Sequence, residues 1–157
     1  MSTVTCLADA EVGDEVWSTT HRLLRADLVA YANASGDQNP IHQDEEFARS
    51  VGLPDVIAHG MLTMGLVASA VETAAAGREV ASFTTRFAAP VVVPAGDDGV
   101  EVALVLTVAA TDESAGTVTL DAAMSVAGTK VLNRARAVVN ISVRSSCRSS
   151  STSPWHR

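Results

Sequence analysis

The residues best suited to chemistry in this chain lie in one short stretch, SGDQNPIH, from Ser35 to His42. It holds a carboxylate, Asp37, and an imidazole, His42, five residues apart. Gly36 permits a tight bend before the acid. Pro40 fixes its own φ and pushes Asn39 out of helical geometry. A loop bent in this way can bring Asp37 and His42 to one point, where an acid and a histidine with separated pKa values form a usable acid/base pair. Asn39 can hydrogen-bond the backbone and hold the turn. The same composition also suits an ordinary surface turn with an exposed histidine, so the stretch alone leaves both readings open.

A second stretch, AHGMLTMG, starts at Ala58. It places His59 and Gly60 at the start of a helix, where the first N–H groups lack intrahelical partners and the dipole is positive. Gly60 lets a ligand oxygen approach its N–H with no side chain in the way, which is what an oxyanion site needs. His59 is a candidate for the same site, a capping or buried-network role being its plainer reading. Ser69, further along that helix, is a candidate substrate contact and also an ordinary packing residue. No metal is expected, because Asp37, His42, Asp44 and His59 lack a known ligand spacing. A nucleophile is not expected either, since Ser35 and Ser69 lack the strand-to-helix elbow pattern. Arg86, Arg134 and Arg136 read as solvated or sheet-edge charges.

The elements that must position these groups follow from periodicity. Glu15 to Leu23 reads as a strand. RADLVAYANAS reads as a short helix, with Leu28, Val29 and Ala32 at helical spacing behind a possible Asp27 cap. DEEFARSVG is a second short helix with acids in its first turn and Gly52 at its end. From His59 the signal is strongest: Met61, Met64, Ala68, Val71 and Ala75 form one stripe, Gly77 is the expected C-cap, and the Met stripe is expected in the core. Gly65 within this helix costs about 1 kcal/mol relative to Ala, which close approach of a sheet or ligand would offset. The period then changes to that of strands. One strand can run up to Pro90. Val100, Val102, Leu104, Leu106 and Val108 share a face, as do Val118, Leu120, Met124 and Val126, and KVLNRARAVVNISV ends the domain. This is an α+β layout, one antiparallel sheet curved around one central helix. Its open edges predict an oligomer.

The chain is 47% hydrophobic and 18% charged, so it can build a packed core and is not globally disordered. With 4% aromatics, that core must come from Val, Ala, Leu and Met. One domain is expected over residues 1–143, followed by a disordered Ser/Arg-rich tail over residues 144–157. Removing the tail's three arginines from a formal charge of −7 leaves about −10 for the body, which argues against nucleic acid as a partner. Cys6 and Cys147 each lie near a terminus, so neither reads as part of a framework disulfide, and a reduced, cytoplasmic setting fits. The N-terminal stretch lacks the pattern of a signal peptide, and no apolar run suits a membrane span.

Taken together, YANASGDQNPIHQDEEFA and IAHGMLTMG resemble the hydratase signature of the MaoC-like, (R)-specific enoyl hydratase/dehydratase family. Tyr31, Gly36, Asp37, Asn39, Pro40, Ile41, His42 and Ala48 all match that signature, and the resemblance covers about residues 10 to 143. Among family members it is similar to the B-type subunits of (3R)-hydroxyacyl-carrier-protein dehydratases. The resemblance implies a hot-dog fold, dimers joined sheet edge to sheet edge, and reversible addition of water to a trans-2-enoyl thioester to give the (3R)-3-hydroxyacyl thioester. By the match, Asp37 and His42 are the catalytic pair, Gly60 gives the amide for the thioester carbonyl, and Asn39 orients the loop. No metal or redox cofactor is implied. The partner is a coenzyme A or acyl-carrier-protein thioester, and the assembly a homodimer or heterodimer. Some members carry a Ser on the central helix where this chain has Ala68, with Ser69 beside it. Two alternatives stay open: a thioesterase on the same fold, for which Glu72 is the only acid on the helix, and a hot-dog subunit that supports a second chain.

Overall fold

The computed structural model describes residues 6–141; the expected tail lies outside them. In chain order the elements are β1 (Glu15–Leu23), α1 (Arg25–Ser35), a 3₁₀ turn (Pro40–His42), α2 (Glu45–Ser50), α3 (Gly60–Ala75), β2 (Val80–Phe87), β3 (Val100–Asp112), β4 (Thr117–Val126), β5 (Thr129–Lys130) and β6 (Leu132–Asn140). The strands form one antiparallel sheet in the order β1-β3-β4-β6-β2, with the two-residue β5 paired to the end of β4.

Alternation drives the sheet. Val102, Leu104, Leu106 and Val108 on β3, and Val118, Leu120, Ala122 and Met124 on β4, are buried on one face. On β6 the buried positions are Leu132, Ala135, Ala137 and Val139. Against this face lies α3, whose Val67, Ala70, Val71, Ala74 and Ala75 join the same core. Small side chains on the helix let it sit close to the sheet, where dispersion contacts are densest.

The buried stripe of α3 differs from the one expected. It runs through Thr63, Val67, Ala70, Val71, Ala74 and Ala75, so Val71 and Ala75 are buried as expected, while Met61 is 58% exposed and Met64 and Ala68 are half-buried. The reason is that α3 is apolar on most sides, so periodicity cannot select which stripe faces the sheet. Thr63 can be buried because its hydroxyl donates to the Gly60 carbonyl at 2.7 Å. Gly65 is exposed, and a Cβ there would meet nothing within 4 Å; within this chain no close approach offsets its cost. The helix also ends earlier than expected, with Ala76 in the left-handed region at φ 51° and its N–H on the Thr73 carbonyl.

Two further corrections concern α1. Asp27 is not the N-cap of α1 but its third residue, where its carboxylate accepts the Leu24 N–H at 2.8 Å. Val29 is 43% exposed, so only Leu28 and Ala32 anchor the helix. The expectation that the two cysteines form no framework disulfide turns on Cys147, which lies outside the described residues. Arg86, Arg134 and Arg136 are exposed, as expected, and Arg136 pairs with Asp121 on the open face of the sheet at 2.7 Å.

The corrected stripe is testable by chemical denaturation. Val71→Ala should cost about 2 kcal/mol from lost burial and the cavity left behind. Met61→Ala should stay within about 0.5 kcal/mol in the isolated chain. Equal costs would mean that α3 is rotated from the orientation described.

Candidate active site

The SGDQNPIH loop is shaped by its own side chains. Gly36 ends α1 in the left-handed region at φ 81°, its N–H on the Ala32 carbonyl at 2.9 Å. Glycine takes this turn without a Cβ clash. Asp37 N–H then donates to Ser35 Oγ, Asn39 N–H to Asp37 Oδ1, and Ile41 N–H to Asn39 Oδ1, each at 3.2 Å. Each polar side chain thus takes a backbone donor two residues away and bends the chain towards the 3₁₀ turn. The outcome is an exposed Asp37 and a buried His42, 7% accessible.

His42 is fixed from outside the loop. Its Nδ1 lies 2.7 Å from the Ile57 carbonyl. A carbonyl oxygen only accepts, so Nδ1 carries a proton, and Nε2 is the nitrogen left to exchange one. Ile57 in turn donates its N–H to the Ile41 carbonyl at 3.2 Å. The same short segment is held on its other side by the loop after β2. Ala58 N–H donates to the Val91 carbonyl at 2.8 Å, Val93 N–H donates to the Val56 carbonyl at 2.9 Å, and Ile57 bridges to Val92. Arg25 ties the outer shell, reaching Glu45 at 3.0 Å, Asp55 at 2.6 Å and the Val93 carbonyl at 3.1 Å.

This strapping delivers His59 and Gly60 to the loop. His59 is 1% exposed and is the N-cap residue of α3. Its ring stacks on His42 with centroids 3.8 Å apart and planes at 25°, and Tyr31 lies against it at 4.9 Å. His59 Nε2 lies 3.1 Å from the Asp37 carbonyl and, by the same logic, donates to it. Its Nδ1 is buried without a hydrogen-bond partner. Burial holds the His59 imidazole below its ordinary pKa of 6.5, the bond to the Asp37 carbonyl opposes this, and the adjacent His42 adds to the lowering.

One donor atom each from Asp37, His42 and His59 falls within 4.8 Å of the others. The stacked rings suit a shared metal ion poorly, because each nitrogen lone pair lies in its own ring plane and near-parallel planes do not converge on one point. Beside the cluster is a cleft of about 340 Å³ lined by His42, Ile57, Gly60, Thr63, Phe87 and Val91, among others. Gly60 is the first residue of α3, so its N–H has no carbonyl within the helix to bond. A Cβ at Gly60 would lie 3.2 Å from the Phe87 ring.

Of the residues singled out in the sequence, Asp37, His42, His59 and Gly60 are brought together, and Asn39 shapes the loop between two of them. Ser69 is not brought to the cluster. It lies nine residues past Gly60, about 13 Å along the helix axis, in a separate cavity of about 150 Å³ with Trp17, Thr19 and His21. Glu72 is exposed and about 18 Å along the axis from Gly60. Sequence reasoning missed Ile57, Arg25 and Phe87. Ile57 acts through its backbone, which leaves no signal in side-chain type; Phe87, the last residue of β2, offered only its position before the AAP break.

Known proteins share this fold. The family model described as MaoC like domain matches residues 5–127. A 3-hydroxyacyl-thioester dehydratase X of Mycobacterium tuberculosis is 40% identical over 74 residues, which is 47% of this chain and 26% of that protein. A solved MaoC-like dehydratase superposes with a TM-score of 0.80 at 37% identity, over 90% of this chain and 43% of the other. An (R)-hydratase from A. caviae, described as involved in PHA biosynthesis, superposes at 0.74 with 27% identity, over 85% of this chain and 98% of its own. The sheet and helix therefore form the hot-dog fold. The chain spans less than half the length of the first two relatives and nearly all of the third.

The buried His59 has a consequence for stability. Its folded pKa lies below 6.5, so between the two values the unfolded chain binds more protons, and stability falls as the pH falls. The contribution is fully present above pH 6.5 and declines below it, with a slope of up to about 1.4 kcal/mol per pH unit. Urea unfolding of the parent and of His59→Phe, from about pH 7.5 to about pH 5, should show the parent losing ground faster. Parallel pH profiles for the two proteins would sink the assignment.

Proposed function

The chain belongs to the MaoC-like domain family, and on that premise we propose that it is a hydro-lyase interconverting a trans-2-enoyl thioester plus water with the (3R)-3-hydroxyacyl thioester. The observation that carries this reading is that the Asp37 carboxylate and the His42 ring come within 4.8 Å of each other, while His42 and Gly60, the first residue of α3, line one cleft. In the hydration direction the thioester carbonyl rests against the Gly60 N–H, and enolate charge developing on its oxygen is stabilised there. Asp37 and His42 position a water at the β carbon. As the water oxygen bonds to that carbon the pair removes its proton, and a proton is delivered to the α carbon. In the reverse direction the α proton is removed and the β-hydroxyl leaves, protonated, as water. The elements of water balance the reaction and no electrons change hands.

The names of the relatives support the thioester class and the (R) configuration. The carrier is coenzyme A or an acyl carrier protein, whose thioester reaches the cleft beside Gly60. A second hot-dog domain completes the assembly, from another copy or another chain. The β2 edge supports this: it lies at the end of the sheet, is largely exposed, and ends on Phe87, which is 53% accessible beside the site.

Hydration of crotonyl-CoA, with the product resolved by chirality, tests the reaction. Asp37→Asn and His42→Ala should each lower kcat/KM by about 10²- to 10⁴-fold at unchanged circular dichroism. Parental activity in both variants would refute the assignment, and release of free thiol without hydration would favour a thioesterase. The chain purified alone should run at twice its own mass. A monomer that becomes active only when a second hot-dog chain is added would replace the homodimer by a heterodimer.

A further inference from the structure

One buried side chain touches both members of the proposed acid/base pair without being needed for proton transfer. His59 donates from Nε2 to the Asp37 backbone carbonyl at 3.1 Å, stacks face to face on the His42 ring at 3.8 Å, and is joined by a peptide bond to Gly60. Tyr31 lies tilted against the His59 ring, with centroids 4.9 Å apart. The two catalytic groups come from an exposed loop held mainly by local bonds of 3.2 Å between its own residues, so the acid's position depends on something outside that loop. Apart from the backbone contacts of His42 and Ile41 to Ile57, His59 is that tie, and it is the only one of these that reaches Asp37 itself.

We propose that His59 is a positioning residue: its ring clamps the Asp37 loop and the His42 imidazole against the start of α3, so that the acid, the base and the Gly60 amide keep one geometry through turnover. This rests on the function proposed above. The clamp works with a neutral ring. A charged His59 would bury an Nδ1–H where no acceptor stands and would set a cation against any positive charge that His42 acquires in the reaction. Both of its contacts have separate physical origins, so they can be removed one at a time. His59→Phe keeps a ring for the stack and loses the donor to Asp37. His59→Gln keeps an amide donor of similar reach and loses the ring.

The test is steady-state kinetics of the full chain on crotonyl-CoA, with folding followed by circular dichroism and His42 by imidazole NMR. His59→Phe should lower kcat by about 100-fold, the scale expected when a reacting group is displaced by about 1 Å, while KM stays within about threefold of the parent. His59→Gln should recover part of the lost kcat, and the His42 ring signals should shift in both variants. A folded His59→Phe with parental kcat overturns the proposal. A rise in KM at unchanged kcat also overturns it, since His59 would then be a substrate contact. The NMR arm separates this proposal from the one before it. If the parent does not hydrate enoyl thioesters, the hydratase reading fails on its own, whereas His42 signals that are identical in parent and His59→Phe remove the clamp whatever reaction the site performs.

Discussion

The arrangement of this protein depends on the backbone of one residue, Ile57. Its carbonyl receives the His42 Nδ1–H and its N–H reaches back to Ile41, so both polar groups of this residue are spent on the loop that holds Asp37 and His42. Val56 and Ala58 on either side are bonded to the strap that follows β2. A single short run of backbone is therefore shared between that loop and the strap from the sheet, and α3 begins three residues later. Backbone bonds of this sort are individually modest, about 1 kcal/mol net. Their value here is geometric: they fix the tautomer of His42 and the distance between that ring and the first amide of the helix.

The rest of the fold supplies a rigid platform for this junction. The long strands bury aliphatic side chains on one face and α3 lays small residues against them. The opposite side of α3 and the β2 edge stay open. Met61 and Phe87 are both exposed there, the first next to Gly60 in the chain and the second against it in space. Exposed apolar surface thus borders the cleft lined by His42 and Gly60.

Electrostatics within the site run opposite to those of the whole chain. The body is acidic, yet the cluster holds one carboxylate and two imidazoles, of which His59 is pushed towards its neutral form by burial. Stacking two imidazoles is tolerable while at most one carries charge. In the proposed reaction a neutral His59 would leave His42 free to take and return a proton beside Asp37. The ion pairs of Arg25 lie a shell further out, joining α1, α2 and the segment before α3, where they order backbone without entering the cleft.

Much of this was legible in the sequence. Strand alternation identified the core faces of β3 and β4, because a half-buried sheet imposes a period of two that few other contexts produce. Gly36, Asp37, Asn39, Pro40 and His42 announced a bent loop through local stereochemistry, and Gly60 announced an open helix start, since both effects act within a few residues. The failures were equally physical. The stripe of α3 that meets the sheet could not be read from a helix apolar on most sides, and Thr63 displaced Met61 from the interior because its hydroxyl finds a carbonyl one turn back. Nor could the sequence show that Ile57 would join loop to helix or that His59 would stack on His42, since backbone partners and ring contacts between segments 17 residues apart have no local code. Sequence determined which groups this protein has available for chemistry; tertiary structure alone decided which of them meet, because distance between segments is set by the packing of the whole chain.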